Sequence, residues 1–493
     1  MSGTTSSGAL DRASVGTWGM TFFTISASAP MTVIAGSVVA TYAVTGSTGV
    51  PLSFLVLAVA LWPFTVAYTA MSRHVSHAGV FYAFIAAGLS RTVGVAGGTL
   101  SLLAYNSIQI CLYGLLGASM QSFWPSANLA WWGWALIAWA LIATLGLLHI
   151  RLNVKVLAVT LGVEVLMIVL FDFAALSHPD GGHIQLTGLA VHSLFASGIG
   201  GVFAFGIAAF VGYETGPAYG EEAAGTRAVR LSTNIALVTL AVLYAFSSLA
   251  LSVTEGPHKV VAAAQDPTSG IPFSIISAHY GSSTAWLANL LLITSILGAM
   301  LSFHNTAARY TFAMARNRVL PAALARIGKG RAAGSPIGGS IFQSACALVV
   351  FSLFAIGGLN PVTTLFTWLS ALAALSIVLL MALTSLAVAG YFARNRDKAS
   401  GETAWARRGA PYVGALLLTG VLVTMVVNLS SVLGSNSAVL GIAIPGIVVV
   451  TAVLGIVWGK SLRAGKPAIY AEIGEGEAAP LAHPTPAFSD ISL

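Results

Sequence analysis

Long apolar runs alternate with short polar connections along almost the whole chain. A bilayer core takes about 20 apolar residues per helix, and twelve runs meet that length. They fall at 18–44, 51–71, 92–120, 130–150, 154–176, 194–222, 231–254, 284–312, 337–357, 361–390, 411–431 and 438–459. They predict an all-α polytopic membrane protein with 12 transmembrane helices, called spans 1–12 below. The connections 45–50, 121–129, 358–360 and 432–437 are short and almost uncharged. Two others, 177–193 and 255–283, are longer, and Pro272 to Tyr280 reads as a short interfacial helix. Residues 1–15 form a polar, Ser/Thr-rich tail without the charged start and cleavage site of a signal peptide. The membrane domain is expected over 16–460, with no soluble domain. Residues 461–493 are acidic and Pro/Ala/Gly-rich, and read as a disordered tail.

Charge tests that division. Of the 22 Lys and Arg residues, only Lys259 falls outside one alternating set of connections and tails. The positive-inside rule is a bias in Lys and Arg, so both termini are expected in the cytoplasm of a plasma-membrane protein. One missed or extra helix would scramble the pattern. The chain is 57% hydrophobic and 8% charged, against about 25% charged in soluble domains. Its net charge of +7 therefore belongs to loops facing anionic lipid and is no argument for nucleic acid. Cys111 and Cys346 lie inside apolar runs, which implies packing and neither a disulfide nor a metal framework.

Two spans are interrupted. Span 1 carries Ser26-Ala27-Ser28-Ala29-Pro30, and span 6 carries Gly212-Tyr213-Glu214-Thr215-Gly216-Pro217. Proline removes a backbone donor and pushes the residue before it out of the helix. Freed backbone groups in hydrocarbon cost several kcal/mol each, so a real break must line a cavity or meet something polar. A lone proline kink is the plain alternative. The breaks, however, occupy matching positions if spans 1–5 and 6–10 are two copies of one unit. Five is odd, so the second copy is inverted. Paired interrupted spans in two halves are the best sequence pointer to a transporter binding site. The repeats would cover about 16–176 and 194–390, with two extra helices over 411–459.

Two carboxyls lie at membrane depth, Glu164 in span 5 and Glu214 at the span 6 break, with Asp172 nearer the outer end. A charge at the bilayer centre costs roughly 2.5–3.5 kcal/mol on insertion scales, and a carboxyl that gains and loses a proton there is what proton coupling needs. Asn106 and Gln109 share one face of span 3, where they either line a cavity or join helices. His304 in span 8 has no partner with which to make a site and reads as structural. A sodium site would want several hydroxyl or carboxylate oxygens near spans 1 and 8. There Ser302 stands between Leu301 and Phe303, which is a thin ligand set.

Three blocks carry a resemblance to the amino acid–polyamine–organocation (APC) superfamily, over about Gly16 to Lys460. Phe210-Val211-Gly212-Tyr213-Glu214, followed by Tyr219-Gly220-Glu221-Glu222, is similar to the family's span 6 break and its Glu-Glu pair. Asn305 to Pro321, closing at Ser335-Pro336, resembles the signature after span 8, and Gly79-Val80-Phe81-Tyr82 the segment between spans 2 and 3. The resemblance implies a 5+5 inverted-repeat (LeuT-like) core with broken helices 1 and 6 plus two extra C-terminal helices. It implies a permease, and not an enzyme, that moves amino acids or related amines by alternating access, and the carboxyls at membrane depth add the expectation of a co-transported proton. No cofactor and no resident metal are expected.

The resemblance also implies a substrate site. Backbone N–H groups of Ser26, Ala27, Ser28 and Ala29, with Ile25 beside them, would hold the substrate carboxylate; Pro30 has none to give. Carbonyls around Ala209, Phe210 and Gly212 would hold its ammonium. Phe210 would act as a lid, Ala208 would leave room for a side chain, and Asn106 and Tyr213 would complete the lining. Glu214 and Glu164 are the proton-coupling candidates. The chain departs from the family in two places: alanines replace the usual glycines of span 1, and Glu164 stands where relatives often carry lysine. Glu214 is therefore the better coupling candidate. A polyamine or organic-amine transporter, or an amino acid exchanger, is the alternative. A sensor or membrane hydrolase would need a signalling domain or a nucleophile–base set, and the sequence offers neither. Oligomeric state is not encoded in any of these features.

Overall fold

The computed structural model describes residues 15–475 except 149, 196–197, 267, 330–331, 333, 398–400 and 434–437. Twelve apolar helices occupy the places the hydropathy pattern assigns. Eleven are long enough to cross a membrane: Thr17–Thr45, Val50–Met71, Arg91–Phe123, Leu157–Ser177, Ile199–Tyr219, Thr226–Glu255, Ser282–Arg316, Ile337–Ile356, Pro361–Arg394, Trp405–Val427 and Val439–Gly465. Trp131–Gly146 is the shorter span 4. Burial sorts them by role. In spans 1, 3, 6 and 10 some 72–78% of the most apolar window is buried, whereas span 12 buries only 17%. The broken spans thus lie at the centre of the bundle, and span 12 lies at its rim.

Local chemistry sets the ends. Ser90 caps span 3 by accepting from the Val93 N–H, and Asn360 caps span 10 by accepting from Val362 and Thr363. Gly46 ends span 1 in the left-handed conformation (φ 66°) that glycine adopts without penalty. The short helix expected near Pro272 is present as Phe273–Tyr280. Lys259, the one stray cation, is paired with Asp180 at 2.8 Å.

Two boundaries differ from the sequence reading. Span 6 is narrower, because its helix ends at Phe210 and continues only as 3-10 turns over Tyr213–Tyr219. The terminal tail does not begin at 461. Span 12 runs on to Gly465, and a further helix, Pro467–Glu472, follows. The segment docks through apolar and polar side chains together: Ile473 is buried among Tyr82, Ala83, Ala86 and Leu462, and Ile469 and Tyr470 pack against the same cluster. Thr92 meets the Tyr470 hydroxyl at 3.0 Å, and Arg91 pairs with Glu475 at 3.0 Å. The Gly474 N–H points to the Tyr82 hydroxyl at 3.3 Å, and Asn317 donates to the Glu475 carbonyl at 3.2 Å. Residues 476–493 lie outside the described residues.

Candidate functional site: the paired helix breaks

Span 1 leaves its helix at Ser28. Ala29 takes the left-handed conformation (φ 45°, ψ 69°), and Pro30 restarts the helix at its first position. That conformation costs an L-residue about 1–2 kcal/mol, so the break is held by its surroundings. Span 6 leaves its helix at Val211, and Gly212 turns the chain with φ 115°. A Cβ on Gly212 would stand 2.8 Å from the Ala27 carbonyl carbon and 2.9 Å from the Ser28 nitrogen. The two breaks therefore meet backbone to backbone, and only glycine permits the approach.

Glu214 ties this junction together. One carboxyl oxygen accepts the Gly212 N–H at 2.8 Å, and the other accepts the Tyr105 hydroxyl of span 3 at 3.0 Å. The Tyr68 hydroxyl of span 2 donates to the Glu214 carbonyl at 3.1 Å. The side chain is fully buried. A carboxyl in this place thus receives the backbone donor that the break sets free, and links it to two neighbouring spans.

Several expected contacts are arranged otherwise. Ser28 and Ala29 turn their N–H groups onto the Ile25 and Ser26 carbonyls, at 3.0 and 3.1 Å. These two donors are spent inside span 1 and do not face a ligand, because the turn at Ala29 folds them back. The Gly212 carbonyl is likewise occupied: the Thr215 N–H and hydroxyl reach it at 3.1 and 2.6 Å. A carbonyl has two lone pairs, so Gly212 keeps none for an ammonium. Asn106 donates to Leu102 of its own helix, while its Oδ1 is buried without a partner. Gln109, by contrast, takes the helix-joining alternative by accepting from Gln343 of span 9 at 3.1 Å, and His304 is structural as read, meeting Ser340 of span 9 at 2.7 Å. Asp172 is buried and accepts from the Ser247 hydroxyl of span 7.

Other expectations meet in one place. Ile25, Ser26, Ala27, Ser28 and Ala29 are all buried at the first break. Ala209 is buried and Ala208 half-buried beside the second. Phe210 packs edge-on against Tyr244 and Phe54, at 5.9 and 6.1 Å between ring centres. Tyr213 shares a contact with Thr65 at 3.3 Å. Tyr244 was not foreseen. It donates to the Ser28 carbonyl at 3.2 Å from span 7. A tyrosine in the middle of an apolar run was its only signal.

The basic end of the bundle is closed below the breaks. Glu222 and Arg309 form a buried two-pronged pair at 2.6 and 2.8 Å. The Arg309 guanidinium also lies 4.3 Å from the Tyr219 ring centre. Glu221 pairs with Arg316 at 2.7 and 2.9 Å and accepts the Ala78 N–H at 2.9 Å. Burial opposes ionisation of Glu221, and the Arg316 guanidinium outweighs it and holds the carboxyl below its usual range. Val15 adds a short backbone bridge to the same segment, donating to the Glu222 carbonyl and accepting from Ala224. The Glu-Glu pair thus staples the segment after the span 6 break to the end of span 8.

Among the described residues no group of three or more His, Cys, Asp and Glu side chains is placed to hold a metal ion. In overall fold the chain is similar to the crystal structure of a manganese transporter mutant from Eremococcus coleocola. The TM-score is 0.57, with 12% sequence identity, 91% of this chain and 98% of the other covered. At that identity the likeness concerns the fold alone. No curated protein matches the sequence. A family model described as amino acid permease matches residues 15–465, nearly the whole chain. With its broken spans 1 and 6 and its Glu-Glu staple, the chain belongs to the amino acid permease family of the APC superfamily.

Proposed function

We propose that this permease carries amino acids or related amines across the plasma membrane by alternating access, together with a proton, with both termini in the cytoplasm. The single observation that carries the reading is the clamp on Glu214. Its two oxygens receive one donor from the span 6 break and one from span 3. Protonation removes the charge that makes both hydrogen bonds strong. The clamp then loosens at the junction of the two breaks, the place where the halves must move. A proton taken up at Glu214 and a substrate seated between the breaks would in this way act on the same joint. The orientation follows from the Lys and Arg asymmetry.

The test is uptake into proteoliposomes of a labelled panel of amino acids and amines under an inward proton or an inward sodium gradient. Wild type accumulates one or a few of them with the proton gradient. Glu214→Gln abolishes that accumulation and retains exchange in preloaded vesicles. Full accumulation in the variant would remove Glu214 from the mechanism, and uptake only with sodium would remove proton coupling.

A further inference from the structure

The second half of span 1 begins at Pro30. The first N–H groups of a helix have no partner within it, and they carry its partial positive charge. Pro30 has no N–H, and Ser28 and Ala29 have spent theirs, which leaves Met31 and Thr32 as the donors at this helix head. A substrate carboxylate would need them. The place already has a carboxyl of the protein beside it: Glu164, from span 5, lies near the Met31 N–H and the Ser295 hydroxyl of span 8. Glu164 is 4% exposed, and neither its Oε2 nor the Ser295 Oγ has a hydrogen-bond partner. Among the described residues no ion pair includes it. The Ser26, Ser28 and Thr32 hydroxyls at the same break are also buried without partners.

This collection has a definite chemical preference. It offers one carboxyl and several hydroxyl oxygens, all able to accept, around a helix head whose donors already face an acid. An incoming ammonium brings donors for those oxygens and a charge opposite to Glu164. An incoming carboxylate brings no donor for those oxygens and has to compete with Glu164 for the Met31 N–H. We propose that Glu164 is a specificity-determining residue that selects cationic amines over zwitterionic amino acids, because it takes the position at the head of span 1's second half that a substrate carboxylate would use. The proposal rests on the reading of the paired breaks as the substrate site and narrows the substrate to amines without a free carboxylate.

Putrescine and ornithine test it, since they differ only by the α-carboxylate. Proteoliposomes of the full chain are assayed for uptake of labelled putrescine, ornithine and alanine, and for competition of each against the others. Wild type is expected to prefer putrescine to ornithine by about tenfold or more, the scale of one charge-assisted hydrogen bond gained or lost. E164Q keeps the shape and removes the charge, so the preference narrows several-fold as ornithine gains. A role of Glu164 confined to holding helices together would lower all uptake in parallel and leave the ratio unchanged, which overturns the proposal. Uptake of alanine or ornithine without putrescine also overturns it and leaves the permease reading standing. Uptake of no probe overturns both.

Discussion

Replacing Gly212 by alanine puts the contact between the two breaks to the test. Two costs add. At φ 115° an L-side chain is strained, and the new Cβ meets backbone atoms of Ala27 and Ser28 at 2.8–2.9 Å. Strained backbone costs about 1–3 kcal/mol and overpacking about 1–3 kcal/mol, so the sum is about 2–6 kcal/mol. Because the clashing atoms are backbone, no side chain can swing away. The strain is released only by moving span 1 from span 6, so the closed junction bears the cost. Even about 2 kcal/mol is roughly a thirtyfold shift in an equilibrium between arrangements. The assay pairs thermal unfolding in detergent with uptake in proteoliposomes. Gly36→Ala serves as the control, since a Cβ there meets nothing within 4 Å. Gly212→Ala is expected to lower the unfolding midpoint and abolish concentrative uptake, while Gly36→Ala does neither. A Gly212→Ala protein with wild-type stability and uptake would refute the backbone contact between the breaks.

Three further outcomes follow from the basic end and the opposite loops. Glu222→Gln strands the buried Arg309 guanidinium, and loss of one partner of such a pair costs about 3–5 kcal/mol; thermal unfolding reads it, and an unchanged midpoint would contradict the burial described. His77, in the loop after span 2, has its pKa lowered to about 4 by burial, with Glu221 opposing and Arg316 adding to the shift. The neutral form is the folded one, so its stability is full above pH 6.5, the unfolded value, and is lost as pH falls toward 4, by about 3 kcal/mol in all. In His77→Gln the stability profile flattens over that window, and an unaltered profile would discard the assignment. Lys259→Ala breaks an exposed pair with Asp180 and is expected to change stability by no more than about 1 kcal/mol, with uptake intact; a larger loss by thermal unfolding would show that the loop contact matters more than its exposure suggests.

The spans, both breaks and the Glu-Glu motif were legible in the sequence because each leaves a one-dimensional trace, whereas the arginines of span 8 that pair with that motif were not. Hydropathy marks a membrane helix wherever it packs. Pro30 and Gly212 mark the breaks because their backbone limits are intrinsic. The destinations of the freed backbone groups were not legible. Whether Ser28 and Ala29 offer their N–H groups outward depends on one left-handed residue, Ala29, which sequence composition does not favour there. The partner of Glu214 and the neighbour of Glu164 were hidden for a related reason: Tyr105 and Ser295 come from spans about 110 and 130 residues away, and their helix rotation is set by packing. The docked segment at 467–475 was missed because its apolar residues, among them Ile469, Tyr470 and Ile473, form no run long enough to read as a span.

That docked segment gives the end of the chain mechanical access to the transporter. Its seat is shared by Tyr82, which donates to Asn317 at 3.0 Å, and by Asn317 itself at the end of span 8. Whatever is joined after Glu475 pulls on those two residues and on Arg91 and Thr92 at the start of span 3. Tension on the tail is transmitted into the ends of spans 3 and 8, so a fused reporter or a tethered surface becomes a load on the moving parts.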